Sequence, residues 1–192
     1  MVAVMPVKSF RLGKGRMADS LTVEVRAQLG RRLAERTAGL AIEVGMVPLL
    51  VAGDADVAAW ALALGLPSIP DPGGGLDAAA GSGVDWANVS SSPWLVLHAD
   101  LPLLTGRELE DVTEAVAAGP VIAPSADGGT SALGSSGEAS FSFGPGSFRR
   151  HLGRFPGARV ITRLGLLHDV DSVDDLESAR LHPRGRWLDE IG

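Results

Sequence analysis

Aspartates recur along this chain where metal-assisted phosphate chemistry would need them. Asp71, Asp100, Asp127 and the pair Asp169 and Asp171 each follow a short apolar run. In open α/β sheets ligands bind outside the carboxyl ends of the strands, so acidic residues after separate strands can converge on one ion. The chain has no cysteine, which excludes thiolate zinc sites, iron–sulfur clusters and cysteine nucleophiles and leaves oxygen and imidazole ligands. A hard cation such as Mg²⁺ suits that donor set. Each aspartate equally suits a turn or a helix N-cap, where its short acceptor satisfies free N–H groups, and Asp171 could cap the last helix.

Cations gather after the first apolar run: Lys8, Arg11, Lys14 and Arg16 lie within nine residues that also hold Gly13 and Gly15. Such a loop can wrap a triphosphate, or it can be a solvated surface loop. It is not a Walker A motif, because Lys8 stands where that motif needs its first glycine and Gly15 where it needs Ser or Thr. Gly73, Gly74 and Gly75, after Asp71 and Pro72, allow close approach of backbone to a flat ligand, with a helix start at Leu76 or Asp77. Gly144-Pro145-Gly146 lacks the third glycine of a dinucleotide fingerprint, and no G-x-S-x-G elbow is present. His98, His151, His168 and His182 have no triad context; His98, ending an apolar run, reads as a partly buried, hydrogen-bonded ring.

The elements that must position these groups alternate. Strands are expected over Val2–Val7, Met46–Val51, Pro67–Pro70, Trp94–His98, Val121–Ala123 and Arg159–Ile161. Helices are expected over Thr22–Ala38, Asp56–Leu64, Thr105–Ala117, Ser147–Arg154 and Asp171–Leu181, with Thr105 and Glu108 spaced as a capping pair. That order implies an α/β fold with a mostly parallel, doubly wound sheet. Ala126–Gly146 turns to Gly, Ser and Thr around a strand-like Ala139–Phe143, which reads as a small inserted β-hairpin, and Leu164–Leu167 reads as one more apolar run before the last aspartates. At 192 residues one domain, 1–183, is expected, with 184–192 as a tail that packs, dangles or pairs with another chain. An apolar fraction of 45% and a net charge of −6 argue for a globular chain without the basic field of a nucleic-acid binder. No run is long enough to span a membrane, so a cytoplasmic protein is expected.

Together the motifs carry more than each alone. Met5-Pro6-Val7-Lys8 with Lys14 and Arg16, Pro70–Leu76 (PDPGGGL), Ala99–Thr105 (ADLPLLT), Phe143–Phe148 (FGPGSF) with His151, and Asp169-Val170-Asp171 closely resemble the coenzyme F420 biosynthesis guanylyltransferases of the CofC/FbiD type. The resemblance implies a single Rossmann-like nucleotidyltransferase domain that moves GMP from GTP to phosphoenolpyruvate or 2-phospho-L-lactate and releases pyrophosphate. It implies Asp100, Asp169 and Asp171 as Mg²⁺ ligands, and Asp100, Lys8, Lys14 and Arg16 as the catalytic set, with those three cations on the GTP phosphates. Asp71, Gly73, Gly74, Gly75, Leu76 and Asp77 would lie against guanine and ribose, and Thr130, Gly144 and Ser147 would grip the phosphoacid. A downstream transferase of the same pathway is an implied partner.

The chain departs from the pattern at Gly15, Asp77 and Ser131. Asp77 replaces an amide by a carboxylate without donors, and Ser131 shortens a polar arm by the expected acid pocket. These changes keep open a weakly catalytic GTP-binding or partner-binding homologue, and a nucleotidyltransferase for another base or for an acceptor such as 3-phosphoglycerate. Read alone, Asp169-Val170-Asp171 also fits the D-x-D metal motif of glycosyltransferases.

Overall fold

The computed structural model describes residues 1–137 and 139–191. Seven strands form one sheet: β1 (Val2–Val7), β2 (Val47–Ala52), β3 (Ser68–Pro70), β4 (Trp94–Leu97), β5 (Val121–Pro124), β6 (Thr130–Ser135) and β7 (Arg159–Val160). Their order is β3-β2-β1-β4-β6-β5-β7. β1 pairs in parallel with β2 and β4, β2 with β3, and β5 with β7, while β6 runs antiparallel between β4 and β5. The mostly parallel sheet is as the alternation requires. The predicted hairpin insertion is instead part of the sheet: β5 and β6 are its two strands, and all six β6 residues are buried.

Ala139–Phe143 is not a strand. Side chains elsewhere take two of its backbone donors, since Ser142 N–H donates to His151 Nε2 at 3.0 Å and Phe143 N–H to Asp77 Oδ1 at 2.7 Å. An amide so occupied cannot serve a ladder.

Helices α1 (Val23–Glu43), α2 (Ala55–Ala63), α3 (Leu76–Val89), α4 (Gly106–Ala118), α5 (Ser147–Arg154), α6 (Leu164–Leu167) and α7 (Val173–Leu181) cover the sheet. One apolar layer joins Leu95, Leu97, Val121 and Ala123 to Leu109, Val112 and Val116 of α4. The other joins Val2, Val4, Leu49 and Val96 to Ala80 and Val84 of α3. Gly83 belongs to a stretch of low sequence complexity but is a packing requirement, because a Cβ there would come within 2.2 Å of Val4 Cγ1. Thr22 caps α1 through Val25 N–H, and Thr105 with Glu108 forms the capping box of α4.

Two expectations near the last aspartates change. Leu164–Leu167 is one turn of helix, with both Leu166 and Leu167 N–H donating to Arg163 C=O. Ser172, not Asp171, caps α7, so Asp171 keeps its carboxylate for other work. The segment after α7 packs rather than dangles. Pro183–Glu190 is a 3-10 helix with Leu188 buried, and Arg184 donates to the buried Glu108 at 3.0 Å. Gly192, the last tail residue, lies outside the described residues. Among the described residues no helix is long and apolar enough to cross a membrane.

Candidate active site

The carboxyl ends of β1 and β4 open into a cavity of about 250 Å³ lined by Lys8, Lys14, Arg26, Leu76, His98 and Asp100, among others. Two backbone devices shape it. Gly53, after β2, lets the chain pass so close to Lys8 that any Cβ would fall 2.0 Å from the Lys8 carbonyl oxygen. Lys14 adopts the left-handed conformation, φ 55° and ψ 37°, which turns the loop back toward β4.

Lys14 is the pivot. Its Nζ donates to Asp100 Oδ2 at 2.5 Å and reaches Asp171 Oδ1 at 3.5 Å, while Arg16 approaches Asp171 Oδ2 at 3.7 Å. Val170 N–H donates to the Asp100 carbonyl at 3.1 Å, so Asp169 and Asp171 flank the residue that docks beside Asp100. Asp175, unremarked in the sequence, accepts from Asp171 N–H at 3.1 Å and fixes that turn.

Charges are strongly coupled here. Burial pushes the Lys14 ammonium down, but the Asp100 and Asp171 carboxylates outweigh it and its pKa lies above the ordinary lysine value. Burial likewise pushes Asp100 up, yet the Lys14 ammonium and then the His98 ring hold it below the usual carboxylate range. Asp169 goes the other way: burial first, then the nearby Asp100 and Asp171 charges, raise it to about 6.

Among the described residues no three acidic or imidazole side chains enclose a point as a metal shell. The donors nonetheless suit a hard cation. Asp100 Oδ1 is buried without a partner, and Asp169 sits in the field of two other carboxylates, a repulsion that a divalent ion relieves.

A second cluster lies beyond His98, whose ring is 5.9 Å from that of Phe143. His98 is not the satisfied histidine expected, because its Nε2 is buried and unpartnered. Phe143 packs edge-on against His151 at 4.9 Å. His151 is fully buried, as are Thr130 and Ser147. Since Ser142 N–H donates to His151 Nε2, the ring proton sits on Nδ1 and donates to Thr130 Oγ1, 2.9 Å away. Ser147 Oγ also donates to Thr130 Oγ1, at 3.1 Å. Both acceptor positions of Thr130 are then filled and its own proton remains to be given. Burial, with smaller contributions from the Arg150 and Arg154 charges and against the pull of Asp77, lowers the His151 pKa to about 4.

The structure thus brings Lys14, Arg16, Asp100 and Asp171 together, with Lys8 on the same cavity, and separately unites Thr130 with Ser147. Gly144, at φ 108°, accepts from Ser147 N–H at 3.0 Å. Of the glycine loop only Leu76 lines the cavity. Asp71 closes its own turn by accepting from Gly73 N–H at 2.8 Å, and Gly73, Gly74 and Gly75 all have positive φ. Asp127 is a turn former, accepting from Ser125 Oγ and Gly129 N–H. Ser131 is buried with its hydroxyl 3.4 Å from the Ala123 and Pro124 carbonyls, so it braces β5. Asp77 uses its carboxylate to hold Phe143 N–H.

Comparison with known proteins agrees in fold and family. A putative nucleotide-diphospho-sugar transferase from Desulfovibrio desulfuricans G20 superimposes with a TM-score of 0.75 over 99% of this chain and 95% of its own, at 15% identity. A phosphoenolpyruvate guanylyltransferase of Rubrobacter xylanophilus is 36% identical, covering 95% of this chain and 94% of the relative. The 2-phospho-L-lactate guanylyltransferase of Methanothermobacter thermautotrophicus is 29% identical over 95% of this chain and 85% of its own. The family described as guanylyl transferase CofC like matches residues 1–187. Matched over nearly its whole length, the chain belongs to the CofC-like guanylyl transferase family.

Proposed function

We propose that this nucleotidyltransferase moves GMP from GTP to the phosphate of a small phosphorylated carboxylic acid, phosphoenolpyruvate or 2-phospho-L-lactate, in coenzyme F420 biosynthesis. The observation that carries the reading is Lys14 held between Asp100 and Asp171 beside the unpartnered Asp100 Oδ1, at the strand ends of a nucleotidyltransferase fold. An oxygen of the acceptor phosphate attacks the α-phosphorus of GTP, the new O–P bond forms, and the bond to the β-phosphate oxygen breaks with release of pyrophosphate. The nucleophile is already ionised at neutral pH, so no general base and no covalent enzyme intermediate are needed. Bringing two anions into line is then a matter of positioning and charge neutralisation.

Lys8, Lys14 and Arg16 hold the GTP phosphates, and the 71–76 loop lies toward guanine and ribose, with Asp77 tying its end to Phe143. Thr130, with its one free proton, Ser147 and the Gly144 backbone receive the phosphoacid. Asp100, Asp169 and Asp171 would hold Mg²⁺, which when bound supplies the remaining charge neutralisation between the substrates. The product, an acid joined to GMP through a diphosphate, is a substrate for a downstream transferase. Pyrophosphate release from purified protein with GTP and Mg²⁺ tests the reading, comparing phosphoenolpyruvate, 2-phospho-L-lactate, 3-phosphoglycerate and no acceptor. Release that depends on one of the first two is expected; GTP binding without release under any condition overturns it.

A further inference from the structure

Arg26 stands in the wall of the same cavity, and none of the motifs includes it. The residue is 8% exposed. Its Nη1 donates to the Gly13 carbonyl at 3.1 Å and its Nε is buried with no partner. None of the salt bridges among the described residues involves it. It also lies in the first turn or so of the 21-residue α1, near the positive end of the helix dipole.

A guanidinium stays charged in a protein, and a buried charge without a counter-ion destabilises the fold that holds it. Three cations, Lys8, Lys14 and Arg26, share the cavity with one carboxylate, Asp100. Gly30 and Ala34, four and eight residues after Arg26 on the same face of α1, line the cavity with it. A buried guanidinium tied to Gly13 through Nη1 alone, with its Nε unpaired, in a cavity lined by more cations than carboxylates, suits phosphate oxygens.

We propose that Arg26 is a further phosphate-binding residue, which takes the oligophosphate of the nucleotide into the cavity beneath the Phe10–Lys14 loop and supplies the counter-charge that the free protein lacks. The identification of that oligophosphate with GTP rests on the function proposed above; the anion site does not.

Inorganic tripolyphosphate tests it without base, acceptor or metal. Calorimetric titration in the presence of a chelator is compared for the wild type, Arg26→Met and Arg26→Lys, alongside the thermal midpoint of each with and without the anion. Arg26→Met is expected to lose tenfold or more in affinity and most of the anion-induced rise in midpoint. Its anion-free midpoint should equal or exceed that of the wild type, because an uncompensated charge has been removed.

Affinity within twofold of wild type in Arg26→Met overturns the proposal. If that variant loses both midpoint and affinity, Arg26→Lys decides: affinity recovered to within a few-fold supports binding by the charge, and affinity lost equally makes Arg26 a fastener of Gly13 and overturns it. Tripolyphosphate bound through Arg26 by a protein that releases no pyrophosphate from GTP would defeat the proposed function alone. Unchanged turnover by Arg26→Met would defeat this inference alone.

Discussion

Around Asp100 the polar groups outnumber their partners, whereas around His151 every ring nitrogen has one. On the first side Asp100 Oδ1, His98 Nε2 and Arg26 Nε are buried and unpaired, and the carboxylates of Asp100, Asp169 and Asp171 crowd each other. On the second, neutral donors and acceptors close a short chain from the Ser142 N–H through His151 to Thr130 and Ser147, with the uncharged Ser142 hydroxyl buried and unpartnered beside it. Unpaired buried groups are expensive, and they persist where a ligand completes them. A neutral chain of paired groups costs less to keep than unpaired charges and fixes the direction in which its last proton points. Electrostatic strain on one side and rigid presentation on the other suit a reaction in which the nucleotide and metal bring charge and the small acid needs orientation.

Asp100→Asn attacks the strained side and should have the largest effect. Asparagine keeps an oxygen for Lys14 but removes the charge that a cation needs, so turnover should fall about a hundredfold or more while the fold survives. Pyrophosphate release and far-UV circular dichroism measure the two. Wild-type turnover in this variant would remove Asp100 from the reaction and, with it, the contrast between the two sides.

His151→Ala attacks the satisfied side and should act on stability first. It leaves a cavity and strips partners from Thr130 Oγ1 and Ser142 N–H, for a loss of about 3 kcal/mol in urea unfolding. If Asp100→Asn were the less stable of the two proteins, the division of labour would be reversed.

The same ring sets a pH dependence. Its folded pKa of about 4 lies below the ordinary 6.5, so between those values the unfolded chain binds the extra proton. The contribution to stability is therefore complete above pH 6.5 and drains away as pH falls toward 4, at about 1.4 kcal/mol per unit for one proton. Urea midpoints of wild type and His151→Asn at pH 7, 6 and 5 should converge as pH falls. A constant gap would mean that the ring is not held neutral.

Legibility in the sequence follows the range of the interaction. β1, β2 and β4 are apolar runs bounded by turn residues, and α1 and α4 announce themselves by caps within four residues, so local pattern suffices. β6, TSALGS, hides because small residues carry no alternation when both faces are covered. Leu164–Leu167 misleads because a short apolar run suits a strand or a buried helical turn, and only Glu108 Oε1, accepting from Gly165 N–H at 3.1 Å, marks the helical end. In the site, Lys14 and Asp100 stand out by type and position after strands, and Asp171 by its pairing with Asp169 after an apolar run. Gly53, Arg26 and Asp175 do not, since each acts on a partner that only the fold supplies. His151 was visible inside its motif, but its role depends on Ser142 and Thr130 arriving from two other segments.

Asp77 joins the two sides and gives the smallest expected effect. It lies in the first turn of α3 beside the glycine loop, and its carboxylate accepts from Phe143 N–H in the loop that leads to Ser147, at an exposed position where one hydrogen bond is worth about 1 kcal/mol or less. Asp77→Ala should leave the thermal midpoint within a few degrees and raise the acceptor KM several-fold, with little change in the GTP term. Asp77→Asn keeps an oxygen that can accept from Phe143, so it should behave as wild type if tethering is the role of this residue. A rise confined to the GTP term in both variants would place Asp77 against the base instead, and the two sides would then be coupled through the nucleotide rather than through the loop.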